Sequence, residues 1–306
     1  MEEGFIVRKL LKLSIAGTLI FAAMGLIWGI AANARIIMFD GLYSLVSTGM
    51  SLMSLWAVNF IDSEGEARDD LFQFGRTVVE PLVMIIKSLV MLGIVATAMV
   101  FAVQDLFHGG RAVNLENSMG YAILSSTFCL VVYGLLHRKG KKTQSGLLKL
   151  EALEWKMDGL ISLGTLAGFT VALFLRGTGA AGVIPYVDPV LLLTITAFFI
   201  KTPARTLWNS VRELLRMAPD EQMQRQVNEI VQQVRQKYQL EEAYCRISKV
   251  GTTLYAEIDF VTGKKTSVYT VKDTDRIREE IGKAIFKLPY EPWLTISFTE
   301  NRKWAI

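Results

Sequence analysis

The chain has 306 residues, 51% of them hydrophobic, a formal net charge of +4 and a mean hydropathy of +0.34, which excludes an ordinary soluble protein of this size. No basic stripe interleaved with aromatics suggests nucleic-acid binding. The two cysteines, Cys129 in an apolar run and Cys245 in a polar one, form no CxxC pair and support neither a disulfide framework nor a thiolate zinc site. The opening MEEGFIVRKLLK leads into an apolar run too long for the core of a signal peptide, and it reads as the start of a first spanning helix.

A helix needs about 20 mostly apolar residues to cross the hydrocarbon core. Six stretches qualify: 11–32, 36–60, 79–103, 119–136, 152–175 and 186–207. Lys and Arg concentrate in alternate loops. Arg8, Lys9 and Lys12, then Arg68 and Arg76, then Arg138, Lys139, Lys141, Lys142 and Lys149, then Lys201, Arg205, Arg212 and Arg216 fall on one side. The other side has Arg35, Arg111 and Arg176. The bias places both termini in the cytoplasm.

Charge and polarity rise after Trp208, so the chain divides into a membrane domain, 1–208, and a cytoplasmic domain, 209–306. Residues 209–238 carry the apolar punctuation of an amphipathic helix. YCRISKVG and TLYAEIDFVTG read as strands, the second alternating Leu254, Ala256, Ile258 and Phe260. DTDRIREEIGKAIFKLP reads as a helix capped by Asp273 or Thr274, and WLTISFTEN as a third strand. The expected fold is an α-helical membrane protein, a six-helix bundle followed by a small α+β domain.

Carboxylates inside membrane helices are costly and mark pathways. Asp40 lies early in the second span. Glu154 and Asp158 lie in the fifth, four residues apart and so on one helix face. Ser44 and Ser162 each follow an aspartate by one turn. Two helices can thus turn oxygen-bearing faces toward one cavity suited to a hard or borderline divalent cation. The alternative is structural: interfacial carboxylates near helix ends, and serines that ease helix packing. Lys156 sits about 200° around the helix from Glu154. It either snorkels to the interface or occupies the acidic site as a tethered cation. Lys87 either snorkels or pairs with Asp62, Asp69 or Asp70.

These segments together resemble the cation diffusion facilitator family of divalent-metal exporters. FDGLYSLVS places Asp40 at the family's leading aspartate, with Ser44 where a second Asp is common. EWKMDGLIS is similar to the His-or-Asp, three residues, Asp pattern, with Glu154 at the first position and Asp158 at the second. FQFGRTVVEPL, with Phe74, Gly75, Arg76 and Glu80, resembles the signature after the second helix. VDPVLLLTITAFFI, with Asp188 and Pro189, resembles the opening of the sixth helix, and RELLRMAPDEQ the linker into the tail.

The resemblance implies a multi-pass exporter of divalent metal in exchange for protons, homodimeric through its tail, with Asp40, Ser44, Glu154 and Asp158 as metal-site residues. The compact form and few cysteines suit a bacterial inner membrane. The basic loops would touch anionic lipid. No cofactor is implied beyond the carried cation, with Mn2+, Fe2+ or Zn2+ as candidates. His108 and His137 are the only histidines, and neither sits at a family ligand position. An all-oxygen set favours harder ions over zinc, and its carboxylates can exchange metal for protons. Asp69 is either the remnant of an accessory site that histidines flank in other members or a solvated loop residue. A transport-silent member acting as an interaction or heterodimer partner is the alternative reading. No nucleophile–base pair or phosphate loop points to an enzyme.

Overall fold

A computed structural model describes residues 2–62, 72–142, 146–264, 266–268, 270–288 and 290–305, without the side chains of 2–9, 11, 51, 54, 55, 58, 62, 140–142, 146–151, 153 and 154. The chain forms two compact units, Met1–Met53 with Lys87–Ala204 and Ser54–Ile86 with Arg205–Ile306.

The first unit is helical. Its elements are α1 (Glu2–Ala32), most of α2 (Arg35–Asp62) and of α3 (Val79–Phe107), α4 (Leu115–Lys142), α5 (Gly146–Leu175), a 3-10 turn (Ala181–Tyr186), α6 (Val187–Phe199) and the start of α7 (Lys201–Leu214). Among the described residues five stretches are long and apolar enough to cross a membrane: Lys12–Ala32, Val79–Phe107, Leu115–Lys139, Trp155–Leu175 and Ala181–Leu214. The other expected span, 36–60, falls on α2, which at 28 residues is about 42 Å long. The last stretch runs almost unbroken from α6 into α7. Pro203 lacks the N–H that would bond the Phe199 carbonyl, so one helical hydrogen bond is missing at the junction while Ile200 keeps helical angles (φ −60°, ψ −30°).

The surface is inverted relative to a soluble protein. Leu13, Ile20, Ile27 and Ile30 on α1 are exposed, whereas Ser14, Ser44, Ser118, Ser125, Ser126, Ser162 and Thr196 are buried. Apolar faces this large have lipid as their natural solvent. Several hydroxyls satisfy themselves on the preceding turn: Thr48 donates to the Ser44 carbonyl (2.9 Å), Ser126 to Ala122 (2.6 Å) and Thr196 to Leu192 (2.7 Å).

Small residues let α1 and α2 touch along their backbones. A Cβ on Gly41 would lie 2.6 Å from the Leu26 nitrogen, and one on Gly25 2.7 Å from the Gly41 Cα. Ala22 and Ala32 continue the same fully buried face of α1. At one end of the unit, buried Asp188 caps α2 from α6. Its Oδ2 accepts from the Arg35 N–H (3.1 Å) and its Oδ1 from that of Ile36 (3.2 Å). Beside it Arg35 pairs with Asp105 (3.0 Å). Arg111 donates to the Asn33 carbonyl (2.7 Å), and the Asn33 amide to the Ala112 carbonyl (2.8 Å).

The second unit holds the sheet. Strands β1 (Glu242–Val250) and β2 (Thr253–Val261) form an antiparallel hairpin, and β3 (Glu291–Thr299) runs parallel to β2, giving the order β1-β2-β3. The hairpin turns on Gly251 at φ +57°, a conformation that favours glycine. A parallel neighbour needs a crossover, supplied by α9 (Val271–Ile285). Leu254, Ile258 and Phe260 of β2 pack with Val227, Val231 and Val234 of α8 (Glu221–Lys237) and with Ile277, Ile281 and Ile285 of α9.

Two expectations for this region need correction. The amphipathic stretch 209–238 is not one helix. It breaks after Leu214, where Arg216 takes φ +51° and Asp220 caps α8 by accepting from the Met223 N–H (2.9 Å). The cap of α9 is Thr270, not Asp273 or Thr274. Thr270 Oγ1 accepts from the Asp273 N–H (3.3 Å), and the Asp273 carboxylate accepts from the Thr270 N–H (3.0 Å). Asp273 thus fills the third position of a capping box.

The segment after α2 also belongs to this unit. Gly75 has φ +83°. The Arg76 guanidinium lies over the Phe60 ring (4.5 Å) and donates to the Phe60 carbonyl (3.0 Å). Tyr255 of β2 donates to the Phe74 carbonyl (2.7 Å), while Arg216 sits over the Tyr255 ring (4.8 Å). Asp69 and Asp70 lie outside the described residues, as does the side chain of Asp62. The pairings expected for Lys87 are therefore not described.

Two substitutions test these constraints. Asp188→Ala removes a charged remote cap and should cost about 2 kcal/mol, read as a lowered apparent Tm in detergent, with Asp188→Asn losing less. Gly41→Val drives atoms into the α1 backbone and should cost about 3 kcal/mol; Gly49→Val, at a position where an added Cβ meets nothing within 4 Å, should leave the Tm nearly unchanged.

Candidate metal site

Asp40 lies on α2 beside the α1–α2 crossing. Gly41 next to it forces the helices into backbone contact, so the carboxylate is carried on a rigid element. It is half-buried, and its Oδ2 accepts a hydrogen bond from the Tyr121 hydroxyl of α4 at 3.0 Å. Tyr121 is 1% exposed and sits among the rings of Phe21 and Trp28, with centroids 6.4 Å away in both cases. Ser44, one turn along α2, is buried on the same stretch.

Asp158 is half-buried on α5. Its neighbour Gly159 lets α4 come close, a Cβ there lying 3.4 Å from the Cβ of Cys129. Asp40 thus meets α4 at Tyr121, and the residue next to Asp158 meets it at Cys129, eight positions along the same helix. Ser162, one turn beyond Asp158, is buried. Its hydroxyl has no nitrogen or oxygen partner among the described residues.

Glu154 occupies α5 one turn before Asp158, but its side chain lies outside the described residues. Among the described residues no three His, Cys, Asp or Glu side chains meet in a group able to hold a metal. The structure thus places one carboxylate on α2 and one on α5, with a buried hydroxyl one turn from each. Carboxylate and hydroxyl oxygens can replace the water shell of a divalent cation, and the carboxylates can also take up protons.

Neighbouring positions on α5 separate cleanly. Trp155 is 3% exposed and donates from Nε1 to Ser14 Oγ (2.7 Å), tying α5 to α1. Lys156 is exposed, as a side chain that snorkels should be. His108 bonds the Gln104 carbonyl (2.7 Å), and His137 packs on Tyr133 with ring centroids 5.3 Å apart.

Sequence reasoning missed Tyr121 and left Cys129 as one apolar position among others. The signal for Tyr121 was the residue type itself. A tyrosine hydroxyl inside an apolar helix needs an acceptor when buried, and membrane carboxylates are the obvious ones. Cys129 carried no comparable mark, because a buried thiol behaves as a small hydrophobe.

Comparison with known proteins bears on the same helices. Residues 11–215 match the cation efflux transmembrane domain, a stretch that includes Asp40, Tyr121, Glu154, Asp158 and Asp188. The chain is also similar to metal tolerance protein 2 of Oryza sativa subsp. japonica, with 27% identity over 179 residues. That alignment covers 57% of this chain and 43% of the rice protein, so the chain spans less than half the length of that relative. Since the domain match extends over most of the sequence and over every spanning helix, the chain belongs to the cation efflux, or cation diffusion facilitator, family.

Proposed function

We propose that this protein exports a divalent metal cation from the cytoplasm in exchange for protons, as a homodimer, through a site formed by Asp40, Ser44, Glu154 and Asp158. The observation that carries this reading is that α2 and α5 both lay their aspartates along α4, Asp40 bonded to Tyr121 and Asp158 next to the Gly159 that packs on Cys129. Isolated carboxylates in hydrocarbon are too costly to keep without a task. Family membership and the likeness to a metal tolerance protein support a metal as cargo.

The donor set sets the expected ion. Carboxylate and hydroxyl oxygens suit harder divalent ions, so Mn2+ and Fe2+ rank ahead of Zn2+. Coupling needs no separate proton path. When metal leaves, the same oxygens accept protons, and protonated carboxylates no longer hold a cation. Alternation between the two faces of the membrane then exchanges one for the other. The arrangement of Lys and Arg supports cytoplasmic termini, and the α8–β1–β2–α9–β3 unit is the candidate dimerisation module.

A second reading is supported by the substituted ligand positions, Ser44 and Glu154, and by the lack of a histidine at any family ligand position. In that reading the chain is a transport-silent partner of a competent relative.

Proteoliposomes with the cytoplasmic face outward separate the two. Metal should accumulate in the lumen faster when the lumen is acid, since protons leave as metal enters. Asp158→Ala should lower that rate at least about 100-fold, while the variant stays monodisperse. Ser44→Ala, which removes a neutral donor, should cost only about tenfold or less. Transport by Asp158→Ala at the wild-type rate would remove the site, and inactivity of well-folded wild type toward Mn2+, Fe2+ and Zn2+ would favour the silent partner.

A further inference from the structure

Tyr121 is a full-sized aromatic buried between α1, α2 and α4, and its ring alone would satisfy the packing. Its hydroxyl is a different matter. Burying an O–H among Phe21, Trp28 and the glycine face of α1 is unfavourable unless it finds an acceptor. It finds one oxygen of Asp40, Oδ2, at 3.0 Å. The crossing leaves it little room to go elsewhere, because a Cβ added at Gly25 would already be 3.0 Å from the hydroxyl. Phenolic donor and carboxylate acceptor are therefore held together by two helices in backbone contact.

A carboxylate oxygen that accepts a phenolic hydrogen bond has lost one lone pair and some charge, so the other oxygen is the better ligand for a cation. Large cations such as Ca2+ take 6–8 oxygens and commonly use carboxylates in bidentate fashion, whereas smaller divalent ions accept fewer, monodentate contacts. We propose that Tyr121 is a positioning residue that confines Asp40 to monodentate ligation through Oδ1, and so selects against large divalent cations. The inference rests on the metal-site reading above. It adds a specificity determinant on α4, a helix that reading leaves without a ligand.

The test uses the full chain in proteoliposomes and the ion, among Mn2+, Fe2+ and Zn2+, that wild type carries fastest. The KM of that ion and the inhibition constant of Ca2+ are measured for wild type and Tyr121→Phe. Outer partners of metal ligands change affinity about 10–100-fold, so the ratio of Ca2+ inhibition constant to KM should fall at least about tenfold in the variant, with kcat close to wild type. A general loosening of the helices would move both constants together. A ratio within about twofold of wild type therefore overturns the proposal. A second measurement needs no Tyr121 variant. In metal-induced infrared difference spectra of wild type, the carboxylate band that disappears in Asp40→Asn should show the wide asymmetric–symmetric splitting of monodentate ligation. The narrow splitting of a bidentate carboxylate overturns the proposal as well. Failure of the transport reading shows in wild type itself, which would then carry and bind none of the three ions.

Discussion

Hydrocarbon offers no partner to a polar group, so every hydroxyl and carboxylate inside the bundle must be satisfied by the protein. The bond from Tyr121 to Asp40 is the point at which this requirement and the candidate function meet. Thr48, Ser126 and Thr196 meet it cheaply by bonding their own helix one turn back. Asp188 meets it by capping α2, whose first N–H groups would otherwise be unpaired. Asp40 cannot use either device, because it lies inside a helix whose backbone is already paired. It needs a donor from another helix, and the glycine-lined crossing of α1 and α2 is what brings α4 within reach. Close packing, ordinarily a matter of stability, here decides where a carboxylate can be kept.

The same logic explains why hydroxyls lie inside this unit while many large aliphatic side chains lie outside. Exposed Ile20, Ile27 and Ile30 on α1 face the solvent that suits them, and Ala22, Gly25, Gly29 and Ala32 allow the helices to approach. Without a hydrophobic drive between helices in lipid, such packing and a few interhelical hydrogen bonds hold the bundle together. The second unit obeys the opposite rule. There the apolar side of β2 is covered by α8 and α9, and ion pairs such as Lys237 with Glu280 (2.7 Å) lie outside. Lys237 and Tyr238 hold the Glu280 carboxyl below its ordinary range. The pairing is therefore fully formed at neutral pH and is lost as acid protonates the carboxylate, at little cost for groups this exposed.

Much of this was legible in the sequence, for identifiable reasons. Hydrophobic length located the spanning helices, and alternation from Leu254 to Phe260 located β2, because each signal reflects burial on one scale at a time. Asp40 and Asp158 stood out because charge in an apolar run has few explanations. What stayed hidden depended on partners distant in sequence. Nothing near Asp188 says that it caps α2, 152 residues away, and nothing near Tyr121 names Asp40. The break between α7 and α8 was missed because the amphipathic spacing continues across it. The MAPD run at 217–220, with a proline followed by a capping aspartate, was the available clue. The cap of α9 lies three or four residues before the expected Asp273 or Thr274, either of which is an equally good capping residue when read alone. The reciprocal bond with Thr270 decides the matter.

The central claim is that Asp40 and Asp158 act on one cation. Equilibrium binding of Mn2+ to the purified full chain, followed by electron paramagnetic resonance of the free ion, tests it most directly. The account predicts saturable binding by wild type that is lost in Asp40→Asn and lost equally in Asp158→Asn, because removing either carboxylate dismantles the same site. Wild-type binding that survives both single substitutions would contradict it.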